Sequence, residues 1–237
     1  MRRSVVTLLL SFSLAGIGEL VAQSGHGGMG YCAIGVQQVV GERFRQQLRE
    51  AGYGELRPQM WSIGGGGAGW IGRVLVGGEG YWLLEQTAMG SRGHVRFGGS
   101  WGMATVGYGV PVWKHARVLL LGAIGGGGLV IRLWQPRELS FGSLLQEPTG
   151  STTLTTGGWL AQVSLGIDAW LGHGWFLGVR VGYLQPLGWG GLALEDQALA
   201  DAPQLKLQGI SVRFTLGGGT PWERIYARDG QHGGRGS

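Results

Sequence analysis

The stretch Trp175-Phe176-Leu177-Gly178-Val179-Arg180-Val181-Gly182-Tyr183 decides the fold. Trp175, Leu177, Val179, Val181 and Tyr183 fall on one side of a period of two, and Phe176, Gly178, Arg180 and Gly182 fall on the other. Strict alternation of this kind marks a β-strand whose faces meet different surroundings. An arginine at Val179 is therefore expected to be far more damaging than a serine at Gly178. The pattern recurs upstream. Trp159, Ala161, Val163, Leu165, Ile167 and Ala169 share a face against Gln162, Ser164, Gly166 and Asp168, and Val74, Val76 and Trp82 oppose Arg73, Gly77, Glu79 and Tyr81.

Extending this reading over the chain gives eight strands, near 28–37, 59–69, 72–84, 94–108, 116–133, 157–170, 174–185 and 205–216. Glycine tracts at 64–67 and 125–128 sit inside two of them. Glycine there marks a bend or a close backbone approach. Neither tract is followed by the Gly-Lys-Ser/Thr of a nucleotide loop. The connections alternate in length. Those near 38–58, 85–93, 134–156 and 186–204 are long, and those near 70–71, 109–115 and 171–173 are short. Short turns at one end and long loops at the other are the rhythm of an up-and-down antiparallel barrel in an outer membrane. An even strand count returns the chain to its starting side.

Composition agrees. Charged residues make up 14% of the 237 positions, against about 25% in ordinary soluble domains. The 51 glycines lack the three-residue period of collagen. The net charge of +5 sits largely at the chain ends, with no basic stripe interleaved with aromatics, which argues against nucleic acid. The single cysteine, Cys32, permits no intrachain disulfide, and no metal site or cofactor motif is present.

Residues 1–22 read as a cleaved signal peptide. Arg2 and Arg3 lead an apolar run from Val5 to Ile17, too short to span a bilayer, and Ala22 offers a cleavage position. The expected organisation is signal peptide 1–22, barrel 23–216 and flexible tail 217–237. In the first long connection, Val40, Phe44 and Leu48 recur at helical spacing among Arg43, Arg45, Gln46, Gln47 and Arg49, with Gly52 beyond. This predicts a short amphipathic helix over 39–51 that caps the mouth or rests on the membrane.

Two residue sets follow. Arg73, Glu79, Asp168, Arg180 and Arg213 alternate against apolar neighbours and are expected to point into the lumen, which side chains just fill in an eight-stranded barrel. Such buried charges must pair. Trp61, Trp82, Trp134 and Trp159 by the long loops, and Trp70, Trp113, Trp170 and Trp175 by the short turns, are expected to form interfacial girdles.

The pattern resembles the small bacterial outer-membrane β-barrel proteins, the porin-like or OmpA-like group of eight-stranded barrels. Gln208, Gly209, Val212 and Phe214 match the group's last-strand motif of polar residue, glycine, two variable positions, then hydrophobic-x-aromatic. The resemblance implies that the barrel assembly machinery reads this signal, that outer-membrane lipid surrounds the wall and that the protein is outer-membrane localised. The chain departs from the group in continuing well past Phe214. Some relatives in this group modify lipids with a His, a Ser and a carboxylate at the outer rim. Here no His-x-Ser element occurs, and His115 and His173 lie by the short turns. The expectation is a structural or surface-exposed barrel without catalytic activity. A narrow channel and a soluble periplasmic barrel holding an apolar ligand are the alternatives, because alternation alone does not say which face is outside. No oligomeric state is implied.

Overall fold

The computed structural model describes residues 27–39, 41–134, 151–194, 197–199 and 205–220. The expected leader, most of the 134–156 connection and most of the tail lie outside the described residues. The strands are β1 (Gly28–Gln38), β2 (Gln59–Ile71), β3 (Val74–Met89), β4 (His94–Trp113), β5 (Ala116–Trp134), β6 (Thr152–Gly172), β7 (Trp175–Trp189), two-residue β8 (Ala193–Leu194) and β9 (Gln197–Ala198), and β10 (Gly209–Gly219). One helix, α1, spans Glu42–Glu50.

Eight of these strands form a closed antiparallel ring. Each of β1 to β6 pairs with its successor, β7 pairs with β10, and β10 pairs with β1 through Met29↔Gly219 to Gln37↔Ser211. A closed ring satisfies the wall's backbone donors and acceptors without leaving an edge.

The turns at one end are tight. Gly72-Arg73, Lys114-His115 and His173-Gly174 join β2 to β3, β4 to β5 and β6 to β7. His173 has φ 50° and Gly174 has φ 84°. Positive φ at both central positions is what a type I′ hairpin needs to follow the strand twist. At the other end the wall is uneven. β3 runs past its expected end to Met89 while β4 starts at His94 as expected, so the connection expected over 85–93 shrinks to Gly90–Gly93. The last strand likewise runs to Gly219, taking three residues from the expected tail.

α1 lies at this second end. Phe44 and Leu48 are its buried residues, and the Phe44 ring stands 6.3 Å from that of Phe97 on β4. The chain leaves through Gly52 at φ 80°, where glycine enters the left-handed region without a Cβ penalty. Phe44 and Leu48 join Val39, Leu56, Leu192, Leu205 and Leu207 in one buried cluster with the upper lumen. The helix therefore plugs the mouth. A second cluster fills the turn end, from Met29, Ala68, Trp70, Leu75, Leu119, Leu121, Trp170 and Phe176.

The glycine tracts make room for this filling. Gly64 and Gly66 stand opposite Tyr81 and Glu79, and Gly125 and Gly127 stand opposite Met103 and Trp101. A Cβ on Gly64 would lie 2.6 Å from the Tyr81 ring, and one on Gly127 would lie 2.7 Å from Cβ of Trp101. Small residues on β2 and β5 thus admit large ones from β3 and β4, an interdigitation suited to a narrow bore.

Candidate functional site

The bore between the two apolar clusters is crossed at mid-height by a hydrogen-bonded ionic set centred on Glu79. β3 projects the Glu79 carboxylate inward, where the Tyr31 hydroxyl from β1 donates to Oε2 at 2.8 Å and the Tyr81 hydroxyl donates to the same oxygen at 3.1 Å. Gln162 from β6 donates to Oε1 at 3.4 Å. Arg180 on β7 and Arg213 on β10 each bring a guanidinium nitrogen within 3.7 Å of the carboxylate. Arg213 also donates to Oε1 of Gln162 at 2.8 Å. The guanidinium carbons of Arg180 and Arg213 stand 4.1 Å from the ring centroids of Tyr31 and Tyr81 respectively. Tyr81 in turn stacks on Trp101, centroids 5.2 Å apart.

One carboxylate therefore ties five strands together across the bore. Its cost of burial is met by charge-assisted bonds, and the arginines gain aromatic faces as well as a counter-ion. Nearer the turns, Arg117 donates to Oδ2 of Asp168 at 2.9 Å and 3.3 Å through two nitrogens. Its guanidinium carbon lies 4.3 Å from the Trp70 ring and 5.4 Å from that of Trp170. Arg213 is 1% exposed, Asp168 0%, and Arg117 and Arg180 3% each.

Glu79, Asp168, Arg180 and Arg213 are thus brought inside, and Arg73 is not. Arg73 sits in the β2–β3 turn, exposed, with a nitrogen 3.4 Å from the Tyr108 hydroxyl. Its period-two phase is lost because the strand ends at Ile71 and resumes at Val74. Sequence reading missed Arg117, Tyr31, Tyr81 and Gln162 as members of the inner polar network. Arg117 opens the run Arg-Val-Leu-Leu-Leu, where both faces are apolar and alternation carries no signal.

The outer surface is the converse. Ile34, Ile63, Val76, Val106, Leu120, Ile124, Val163, Leu165, Ile167, Leu177, Val179, Val181, Val212 and Phe214 all point outward and are exposed. Charged side chains on the wall's exterior occur at its ends: Glu85, Arg96 and Arg132 towards the long connections, and Arg73 and Lys114 at the turns. Trp61, Trp82 and Trp159 stand 56%, 64% and 65% exposed on one border of this belt, with Trp113 and Trp175 at 77% and 56% on the other. Trp134 lies past the upper border, half-buried, its ring 5.3 Å from that of His94.

Trp70 and Trp170 depart from the expected girdle. They are 3% and 7% exposed and face the lumen against Arg117. Parity explains it: Trp61 and Trp70, and likewise Trp159 and Trp170, are an odd number of positions apart on one strand. An uninterrupted strand must send them to opposite faces.

From the last-strand motif, Gln208 precedes β10, Gly209 opens it at φ 129°, and Val212 and Phe214 are exposed on the outer face. His94 lies at the loop end of the wall, and His115 and His173 lie in turns at the other end. Among the described residues no cluster of three or more His, Cys, Asp or Glu is arranged to hold a metal ion. Cys32 is exposed on β1.

No family model and no curated protein matches the chain. Among solved structures it is similar to Neisserial surface protein A, at 8% identity and a TM-score of 0.45 over 83% of this chain and 97% of the other. It is similar to the attachment invasion locus protein Ail of Yersinia pestis, at 12% identity and a TM-score of 0.42 over 81% and 94%. The outer membrane protein OprG from Pseudomonas aeruginosa gives 9% identity and a TM-score of 0.42 over 83% and 96%.

Proposed function

We propose that this chain is an integral protein of a bacterial outer membrane, a sealed barrel that displays surface loops and conducts no open stream of solute. One observation carries the proposal: exposed apolar side chains cover the outside of the wall in a continuous belt, while the wall's mid-height charges are buried inside. Water on the outside and an apolar ligand within would require the opposite arrangement. The strand segments between the two tryptophan borders suit a tilted span, which takes about 9–11 residues. The bore is filled at mid-height by the Glu79 set and at the mouth by α1 and Leu205 and Leu207, which supports a structural or surface role over transport.

In this reading the turns and both chain ends face the periplasm, and the connections near 38–58, 134–156 and 186–204 face outward. The leader is removed after Ala22, surrounding lipid and the assembly machinery are the partners, and the Gln208–Phe214 motif serves assembly. No catalytic role is proposed. The deciding experiment is current recording in planar bilayers, with heat-modifiable migration as the control for folding. The folded protein is expected to be silent, and stable unitary steps would overturn the sealed reading. An epitope at residue 145 is expected to bind antibody on intact cells, and one after Ser237 only after permeabilisation.

A channel is favoured by one specific feature. The inner set holds Arg117, Arg180 and Arg213 against Glu79 and Asp168, so a bore freed of its plug would be cationic. Stable steps with anion preference would identify that state.

A further inference from the structure

The loop end of the wall contains a notch. β7 runs on to Trp189, while β1 ends at Gln38, level with the start at Gly209 of β10, which lies between them. Its first partners are Leu184 on β7 and, from Ser211, Gln37 on β1. Residues 205–208 enter through the gap without strand pairing. Even so, their side chains alternate. Leu205 and Leu207 are buried in the mouth cluster, while Lys206 is half-buried and Gln208 exposed.

A cavity of about 430 Å³ occupies the notch, lined by Gln38, Tyr183, Lys206, Gln208 and Ile210 among others. Tyr183 and Ile210 belong to the outward apolar belt, 46% and 55% exposed. The cavity therefore opens sideways, onto the surface that faces lipid, at the belt's upper border. The Gln208 amide is held in place, its Nε2 donating to the Tyr183 hydroxyl at 2.9 Å and to Oε1 of Gln185 at 3.3 Å. Among the described residues Lys206 forms no ion pair.

We infer that this notch is a lateral docking site for the phosphate-bearing headgroup of an anionic membrane lipid. Lys206 supplies the counter-charge, Gln38 and Gln208 supply neutral polar contacts, and the acyl chains lie against Ile210 and Tyr183. The volume falls in the range of small-molecule sites, and an ammonium at an apolar border binds a phosphodiester as a point charge. The inference rests on the belt being embedded in lipid. Arg132 makes the comparison internal to the molecule. It is an exposed outward cation at the same end of the wall, on β5, across the ring from β10 and outside the notch.

The test titrates the refolded full chain in detergent with phosphatidylglycerol, phosphatidylcholine and inorganic phosphate, counting bound molecules by native mass spectrometry. One phosphatidylglycerol is expected to be retained about tenfold more tightly than phosphatidylcholine, the scale of a single charge-assisted contact. Lys206→Ala and Lys206→Met should both erase that preference, and Arg132→Ala should keep it. Equal retention of the two lipids, or equal loss in Arg132→Ala, overturns the site. Inorganic phosphate binding as tightly as the lipid overturns the lipid assignment in favour of a small-anion pocket. Flotation with phosphatidylcholine vesicles separates the two levels: a protein that floats but shows no lipid preference refutes the notch alone, and one that never floats refutes the membrane reading.

Discussion

Val179 and Arg180 are joined by one peptide bond, yet Val179 is 41% exposed on the outside of the barrel and Arg180 is 3% exposed on the inside. The two surfaces ask different things of the sequence. Outside, any apolar side chain serves if the belt lies in lipid as proposed, because lipid has no fixed shape to match. Inside, each group is defined by its partners: Arg180 needs Glu79 and the Tyr31 face, and those in turn need Gly66 to leave them space. The outside is thus specified by class of residue and the inside by identity.

The sharpest way to break this contrast is to remove the hub. Glu79→Ala leaves Arg180 and Arg213 buried without their shared carboxylate, and a loss of about 3–5 kcal/mol is expected in denaturant unfolding from lipid vesicles. A loss below that of an ordinary surface change would mean water reaches the bore freely. Next comes the outer face. Val179→Arg places a charge near the middle of the belt and should cost about 2–4 kcal/mol, read as reduced yield of heat-modifiable protein on folding into vesicles. Unimpaired insertion would mean that lipid does not contact β7.

A smaller effect is expected at Gly178, though packing narrows the difference from Val179→Arg that alternation alone implies. A Cβ at Gly178 would lie 2.3 Å from Oδ1 of Asp168 and 2.5 Å from Oγ1 of Thr215. Gly178→Ser should therefore cost about 1–3 kcal/mol by overpacking, measured in the same unfolding experiment. Smallest of all is Gly102→Ala. Gly102 points outward, where the nearest atom to an added Cβ is 3.8 Å away. Its unfolding midpoint should move by no more than about 0.5 kcal/mol equivalent. A large effect at Gly102 with a small one at Gly178 would invert the assignment of faces.

The same contrast explains how much could be read from the sequence. Strand number, ring order and the facing of β6 and β7 were legible because polar and apolar residues alternate there without a break. The Gly64–Gly67 tract on β2 carries no facing information, so the phase of Trp70 had to be counted across it from Trp61. At Arg73 a turn interrupts the count. On β4, pairing shifts between Pro111 and Trp113, and Trp113 faces outward only because of that irregularity. The convergence of Tyr31, Tyr81, Gln162 and Arg213 on Glu79 was illegible for a different reason. It depends on inter-strand register, which a single strand's pattern does not encode. The helix was visible from its spacing, but its burial against Phe97 was not.

Closure of the ring by Met29↔Gly219 has a consequence for biogenesis. The first and last strands are neighbours in space and nearly the whole chain apart in sequence, so the seam is the most non-local contact in the molecule. Contacts of that kind form slowly, and until they form two strands present unpaired edges. No partial product can be a smaller working barrel: a chain halted before residue 209 leaves β1 and β7 open along their length. Synthesis must pass β10 before the wall can shut. A frameshift or proteolytic nick that removes β10 is therefore expected to yield aggregate or degraded chain instead of a seven-stranded protein.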